Sequence, residues 1–213
     1  MLFQLIKKEV LLAKSYVLLM LAVCVAFPPF LLWRSPEQAG ILGFVLSAVI
    51  SVLMCLQYVS LKETQYPKAA ALLCALPFSR RDLVLSKYLF SILIYLASCL
   101  IFGVETLLFP QLATVGLETP VLLFFVISLL LGVYLPVQYK LGYEKTRLFF
   151  AVFIMASPFI FSWSLAWKGP FLPEPLRHIH PLLLTAGSVA ASAFVLALSS
   201  ALSVRIYQQA DLS

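Results

Sequence analysis

An all-α protein that crosses a membrane six times is the fold class this sequence predicts, and three observations carry it. The first is composition. Of 213 residues, 62% are hydrophobic and only 11% charged, against roughly a quarter charged in soluble proteins, and the mean hydropathy is +1.02. The second is spacing: apolar runs near the ~20 residues needed to cross a bilayer core recur six times. They leave room only for short loops, so a single transmembrane domain over 1–213 is expected. The third is charge asymmetry. With the runs placed across a membrane, Lys7, Lys8, Lys14, Lys62, Lys68, Arg80, Arg81, Lys87, Lys140, Lys145, Arg147 and Arg205 fall on one side, and only Arg34, Lys168 and Arg177 on the other. Short loops rich in Lys and Arg stay cytoplasmic, so both termini are expected there. The net charge of +6 then reports topology, and no nucleic-acid partner is expected.

Each element follows from its residues. In Leu2 to Ser15 the positions Gln4, Lys7, Lys8, Leu11 and Lys14 recur at helical spacing and are mostly polar, while Leu2, Leu5, Ile6, Val10 and Leu12 lie largely elsewhere on the wheel. That pattern predicts an amphipathic helix on the membrane surface. A signal peptide is the rival reading, opposed by Pro28-Pro29-Phe30 standing where a small-residue cleavage site belongs. The spans are expected at about 16–33, 40–61, 84–109, 121–138, 148–167 and 182–204. Pro110 to Pro120 reads as an outer connection, Tyr139 to Arg147 as a polar inner loop, and Lys168 to Pro181 as a proline-rich outer loop.

The stretch from Leu61 to Leu89 organises the rest. Pro67 and Pro77 bracket Lys68 to Leu76, whose Ala and Leu content favours a helix of about two turns. So short a helix needs something to pack on, either a partner protein or the membrane surface. Ser79 and Asp82 then read as a capping box that launches the third span.

Some residues carry two readings. Glu105 is the acidic residue within a span, a functional signal by default. It stands about four residues, or roughly 6 Å of rise, from the outer end, which would let it reach the interface; a role in gating or substrate contact is the other reading. His178 and His180 could meet one metal, but no Cys or third His is near, and they read as incidental loop residues, so no metal site is expected. Ala186, Ala190, Ala193, Ala197 and Ala201 form a small-residue stripe, expected to pack within the subunit or at a dimer contact. Cys24, Cys55, Cys74 and Cys99 form no C-x-x-C pair and read as small core residues. Nucleotide-binding G-x-x-x-x-G-K-[ST], H-E-x-x-H and G-x-S-x-G are missing, so neither catalysis nor a bound cofactor is expected of this chain.

Glu63 together with Leu-Pro-Phe-Ser-Arg-Arg-Asp-Leu-Val-Leu-Ser-Lys-Tyr-Leu (Leu76 to Leu89) resembles the small membrane-spanning subunits of type-2 ABC exporters, of the kind that serve bacterial peptide and antibiotic export. The opening Leu5 to Lys14 is similar to that family's N-terminal helix, and Leu135 to Arg147 to its second cytoplasmic loop. These matches cover about a quarter of the residues, and their order agrees with the six-span layout. Pro67 and the long, proline-rich last outer loop depart from the pattern. The resemblance implies a permease of the bacterial cytoplasmic membrane that pairs with a like or related permease and docks two ATPase subunits, which hold the ATP and Mg. It implies an ATPase-coupling surface at Glu63, Pro67, Lys68, Leu72, Leu73, Leu76, Pro77, Ser79 and Arg80, and a second loop at Lys140, Gly142, Glu144, Lys145 and Arg147. It also implies export of amphipathic or antimicrobial peptides. A structural or regulatory membrane subunit without transport, and a membrane-embedded enzyme, are the alternatives.

Overall fold

The computed structural model describes residues 2–34, 39–65, 79–112, 116, 118–166 and 181–209, and every regular element among them is helical. These are α1 (Leu2–Leu12), α2 (Lys14–Arg34), α3 (Ala39–Gln65), α4 (Arg80–Leu108), a 3-10 turn (Pro110–Leu112), α5 (Glu118–Leu141), α6 (Tyr143–Ala166) and α7 (Pro181–Gln209). Five of them, α2, α3, α4, α5 and α7, are long and apolar enough to cross a membrane. The chain is a polytopic membrane protein. The remaining expected span, 148–167, falls on α6, a helix of 24 residues.

The bundle is built around α3. Of its most apolar window, 72% is buried inside the protein, against 33% for α4 and for α5. Small residues explain how it takes neighbours on all sides: Ala39, Gly40, Gly43, Ser47, Ala48, Ser51, Cys55 and Ser60 are all buried, and small side chains let helix backbones approach in lipid. At Gly43 the approach is closest. A Cβ there would lie 3.1 Å from both Cα and Cβ of Pro28, so the Pro28-Pro29 segment of α2 rests on it. Membrane helices accommodate such prolines because neighbours re-satisfy the freed backbone, and α2 stays helical through both.

Polar contacts at depth tie the helices together. Cys24 Sγ of α2 lies 2.9 Å from Ser51 Oγ of α3 and 3.6 Å from Ser98 Oγ of α4. Phe44 and Phe102 join α3 to α4 with ring centroids 4.6 Å apart. On the other side α5 and α7 pack through Gly132, where Ser199 Oγ donates to the Gly132 carbonyl at 3.0 Å. With that proton committed, the Tyr88 hydroxyl of α4 donates to Ser199 Oγ at 2.5 Å and lies 3.0 Å from Ser203 Oγ. Cys24 and Cys55 are buried, Cys99 partly so, and all three are free thiols.

One expectation is corrected and two are refined. Tyr139 to Arg147 is not a loop: α5 runs to Leu141, α6 starts at Tyr143, and Gly142 alone breaks the helix. Its φ of 81° is a conformation only glycine takes freely, which lets one residue make the turn. The alanine stripe of α7 does not pack inside the subunit, which leaves the dimer contact as its reading. Ala186, Ala190, Ala193, Ala197 and Ala201 are exposed, and the packing face is instead Ser192, Ser199 and Ser203, all buried. Finally, α1 is more than a surface helix. Gln4, Lys7, Leu11 and Lys14 are exposed as the pattern predicts, but Leu5, Glu9 and Ala13, spaced i, i+4, i+8, are buried, and α1 packs on α4.

Candidate functional site

At the end of the bundle where α1 docks, charges from three helices converge. Helix α3 does not stop at the apolar run but continues to Gln65, which carries Glu63 past Leu61 on a rigid helix. Helix α4 starts at a fixed point, since Ser79 is its N-cap and Ser79 Oγ accepts from the Asp82 N–H at 3.1 Å. An N-cap of this kind contributes about 1 kcal/mol. Two turns on, Lys87 points inward. Its Nζ lies 2.6 Å from Glu63 Oε2, while Lys8 Nζ of α1 lies 3.5 Å from Glu63 Oε1 and 3.1 Å from Glu9 Oε1. Glu63 thus bridges two lysines, one oxygen to each, and Lys8 bridges two carboxylates.

Aromatic rings extend this node to the other helices. Lys87 Nζ stands 5.3 Å from the ring centroid of Tyr139 on α5, within cation–π range, and Tyr139 lies 5.2 Å from the Tyr207 ring of α7. Burial makes the pairing matter. Glu9 is 1% exposed and Lys87 5%, and a buried charge stripped of its partner is strongly destabilising. The Glu9 carboxyl is pushed above its usual range, chiefly by burial and then by the Glu63 carboxylate, against the pull of Lys8 and Lys87. Glu9 Oε2 finds no hydrogen-bond partner among the described residues.

The node continues along one face of α4. Lys87, Ser91, Ile94, Ser98, Phe102 and Glu105 are all buried and recur every three or four residues. Lys87 and Glu105 are separated by five turns, about 27 Å of rise, so the face carries a cation at one end and a carboxylate at the other. Glu105 does not snorkel outward as its position near the helix end suggests. It is 4% exposed, and neither carboxylate oxygen has a hydrogen-bond partner among the described residues.

Of the residues singled out in the sequence, Glu63 lies in the node, Ser79 caps α4 and Arg80 is its first residue. Pro67, Lys68, Leu72, Leu73, Leu76 and Pro77 lie outside the described residues, as do Cys74, His178 and His180. Lys140, Glu144, Lys145 and Arg147 are exposed around Gly142, and they do not enter the node. Among the described residues no group of three or more His, Cys, Asp or Glu could hold a metal ion. Sequence reasoning missed Glu9, and it used Lys87 for topology and within the Leu76 to Leu89 resemblance, never as a partner of Glu63. The signal for Lys87 was available: a lysine two turns inside an apolar helix needs an anion, and Glu63 was the nearest across the loop. The arrangement is an ionic clamp among α1, α3 and α4.

Residues 4–208, nearly the whole chain, match the family described as ABC-2 family transporter protein. No curated protein and no solved structure matches.

Proposed function

Because the chain belongs to the ABC-2 family of transporter proteins, we propose that it is the permease subunit of an ATP-driven exporter. Two ATPase subunits, which bind the ATP and Mg, dock on a pair of permeases, each this chain or a related one. The charge asymmetry supports a bacterial cytoplasmic membrane placement with six crossings, α6 being the fifth in order, and with both termini and the charged node on the cytoplasmic side. The ATPase engages the segment Pro67 to Pro77 through Leu72, Leu73 and Leu76, flanked by Glu63, Lys68, Ser79 and Arg80, with Lys140, Gly142, Glu144, Lys145 and Arg147 forming the neighbouring rim. By the resemblance of these loops, the substrate is an amphipathic peptide.

The observation that carries this reading is the Lys8–Glu63–Lys87 clamp. Its residues flank the docking segment in sequence: Glu63 is on the last turn of α3 before it, and Lys87 is two turns into α4 after it. Movement of the segment under a closing ATPase therefore reaches α4 through an ion pair rather than through lipid-facing leucines. The test is affinity purification of the chain from its own membranes, wild type and with Leu72→Asp and Leu73→Asp together. The wild type is expected to bring down an ABC ATPase and the variant, still inserted in the membrane, to lose it. Retention of the ATPase by the variant removes the docking assignment, and a wild type that comes alone favours a non-transporting subunit.

A further inference from the structure

Among the described residues, Glu9, Glu63 and Glu105 are carboxylates buried or half-buried in the helix bundle, and they differ in their partners. Glu63 has two lysines and Glu9 has one. Glu105 has none: no lysine or arginine pairs with it among the described residues, and both of its oxygens lack a hydrogen-bond partner. An unpaired buried carboxyl is expensive, and nothing in the packing of α4 calls for one. The same face already holds Ser91, Ile94, Ser98 and Phe102 in the bundle, and a leucine or glutamine would close its last turn at lower free energy. Polar residues kept at such positions mark pathways for substrates or ions.

The surroundings narrow the ligand. Glu105 lies one turn from the end of α4, where the 3-10 turn Pro110–Leu112 packs against α2, α3 and α4 with Leu112 fully buried. One turn below, Phe102 and Phe44 meet as a tilted ring pair with centroids 4.6 Å apart. A carboxylate one turn from an aromatic pair, without a partner among the described residues, is complementary to an organic cation with an apolar body, since the carboxylate takes the charge and the rings take the hydrocarbon and part of the charge. We infer that Glu105 is a binding site for a cationic group, an ammonium or guanidinium, on the molecule the permease moves. The inference rests on the transport reading and adds to its amphipathic substrate a cationic group and the residue that receives it. Position supports it too: Glu105 is about 27 Å along the same buried face from Lys87, so a shift at the charged node moves this carboxylate directly.

The test uses the isolated full-length chain in phosphatidylcholine nanodiscs, with dodecylamine as probe and dodecanol as the uncharged control of equal chain length. Two readouts are taken: thermal stability, and the rate at which a carbodiimide that modifies carboxyl groups in apolar surroundings labels Glu105, followed by peptide mass spectrometry. Dodecylamine is expected to raise the melting temperature and slow the labelling, dodecanol to do neither, and Glu105→Gln to abolish the amine's thermal shift. Equal effects of amine and alcohol, or a shift that survives Glu105→Gln, overturn the inference. Should Glu105→Gln fail to fold, the labelling of the wild type decides alone. Because no ATPase is present, failure here leaves the permease reading standing, and copurification of the ATPase with Glu105→Gln tests that reading separately.

Discussion

Replacing Lys87 with Met puts the ionic clamp under direct strain. The substitution removes the cation 2.6 Å from Glu63 Oε2 and leaves Glu63 and Glu9 to share Lys8, at 3.5 and 3.1 Å. Two unit charges about 4 Å apart near a protein surface interact by roughly 4 kcal/mol before desolvation is counted, and removing one partner of a buried pair costs roughly 3–5 kcal/mol. The Glu63 side chain is 29% exposed, so water takes up part of the orphaned charge and the expected loss is about 2–3 kcal/mol. At about 2–4 °C per kcal/mol for a chain of this size, the melting temperature of the detergent-purified protein should fall by about 4–12 °C. Glu63→Gln should cost more, because it strands Lys87, only 5% exposed. Glu63→Gln with Lys87→Met removes both charges and should recover at least half of the larger loss. The cycle of four proteins measures the coupling, and additive losses in the double variant would refute a clamp.

Other outcomes follow from the same structure. Burial holds the Glu9 carboxyl above its usual range amid Lys8, Glu63, Lys87 and the Tyr139 ring, so its stabilising effect is complete below the free carboxylate's pKa and is lost as pH rises through the folded one. Amide exchange in α1 should therefore quicken from acid to neutral pH beyond the intrinsic chemical rate, and Glu9→Gln should flatten that dependence. A Cβ at Gly132 would meet Val195 Cγ1 at 3.1 Å, so Gly132→Val should cost about 1–3 kcal/mol in a thermal melt. Ala190→Leu with Ala197→Leu, on the exposed face of α7, should stay within about 0.5 kcal/mol for the single subunit; a loss as large as that of Gly132→Val would put the stripe back into the packing core.

The long helices were readable because apolar runs agree with helix boundaries to a few residues, and the cap at Ser79 follows from its spacing to Asp82. What could not be read depends on contacts between elements. Glu9 sits in an amphipathic pattern that leaves its direction open, and its burial exists only because α1 docks on α4. Polar residues from Tyr139 to Arg147 suggested a loop, yet one left-handed glycine suffices where both flanking segments favour helix. In α7, alanine and serine are both small, so periodicity could not say which stripe turns inward. The serines do, because Ser199 has a carbonyl at Gly132 and a hydroxyl at Tyr88 to bond.

The most direct test of coupling through the clamp is movement of α4 driven by nucleotide. A cysteine at Leu107, exposed at the far end of α4, is introduced into the cysteine-free permease, and the complex with its ATPase is trapped with ATP and vanadate. In the otherwise wild-type permease, trapping should change the rate at which that cysteine reacts with a maleimide. In the Glu63→Gln, Lys87→Met background, with the ATPase still bound, the rate should be the same with and without trapping. An equal change in both backgrounds would contradict transmission through the ion pair.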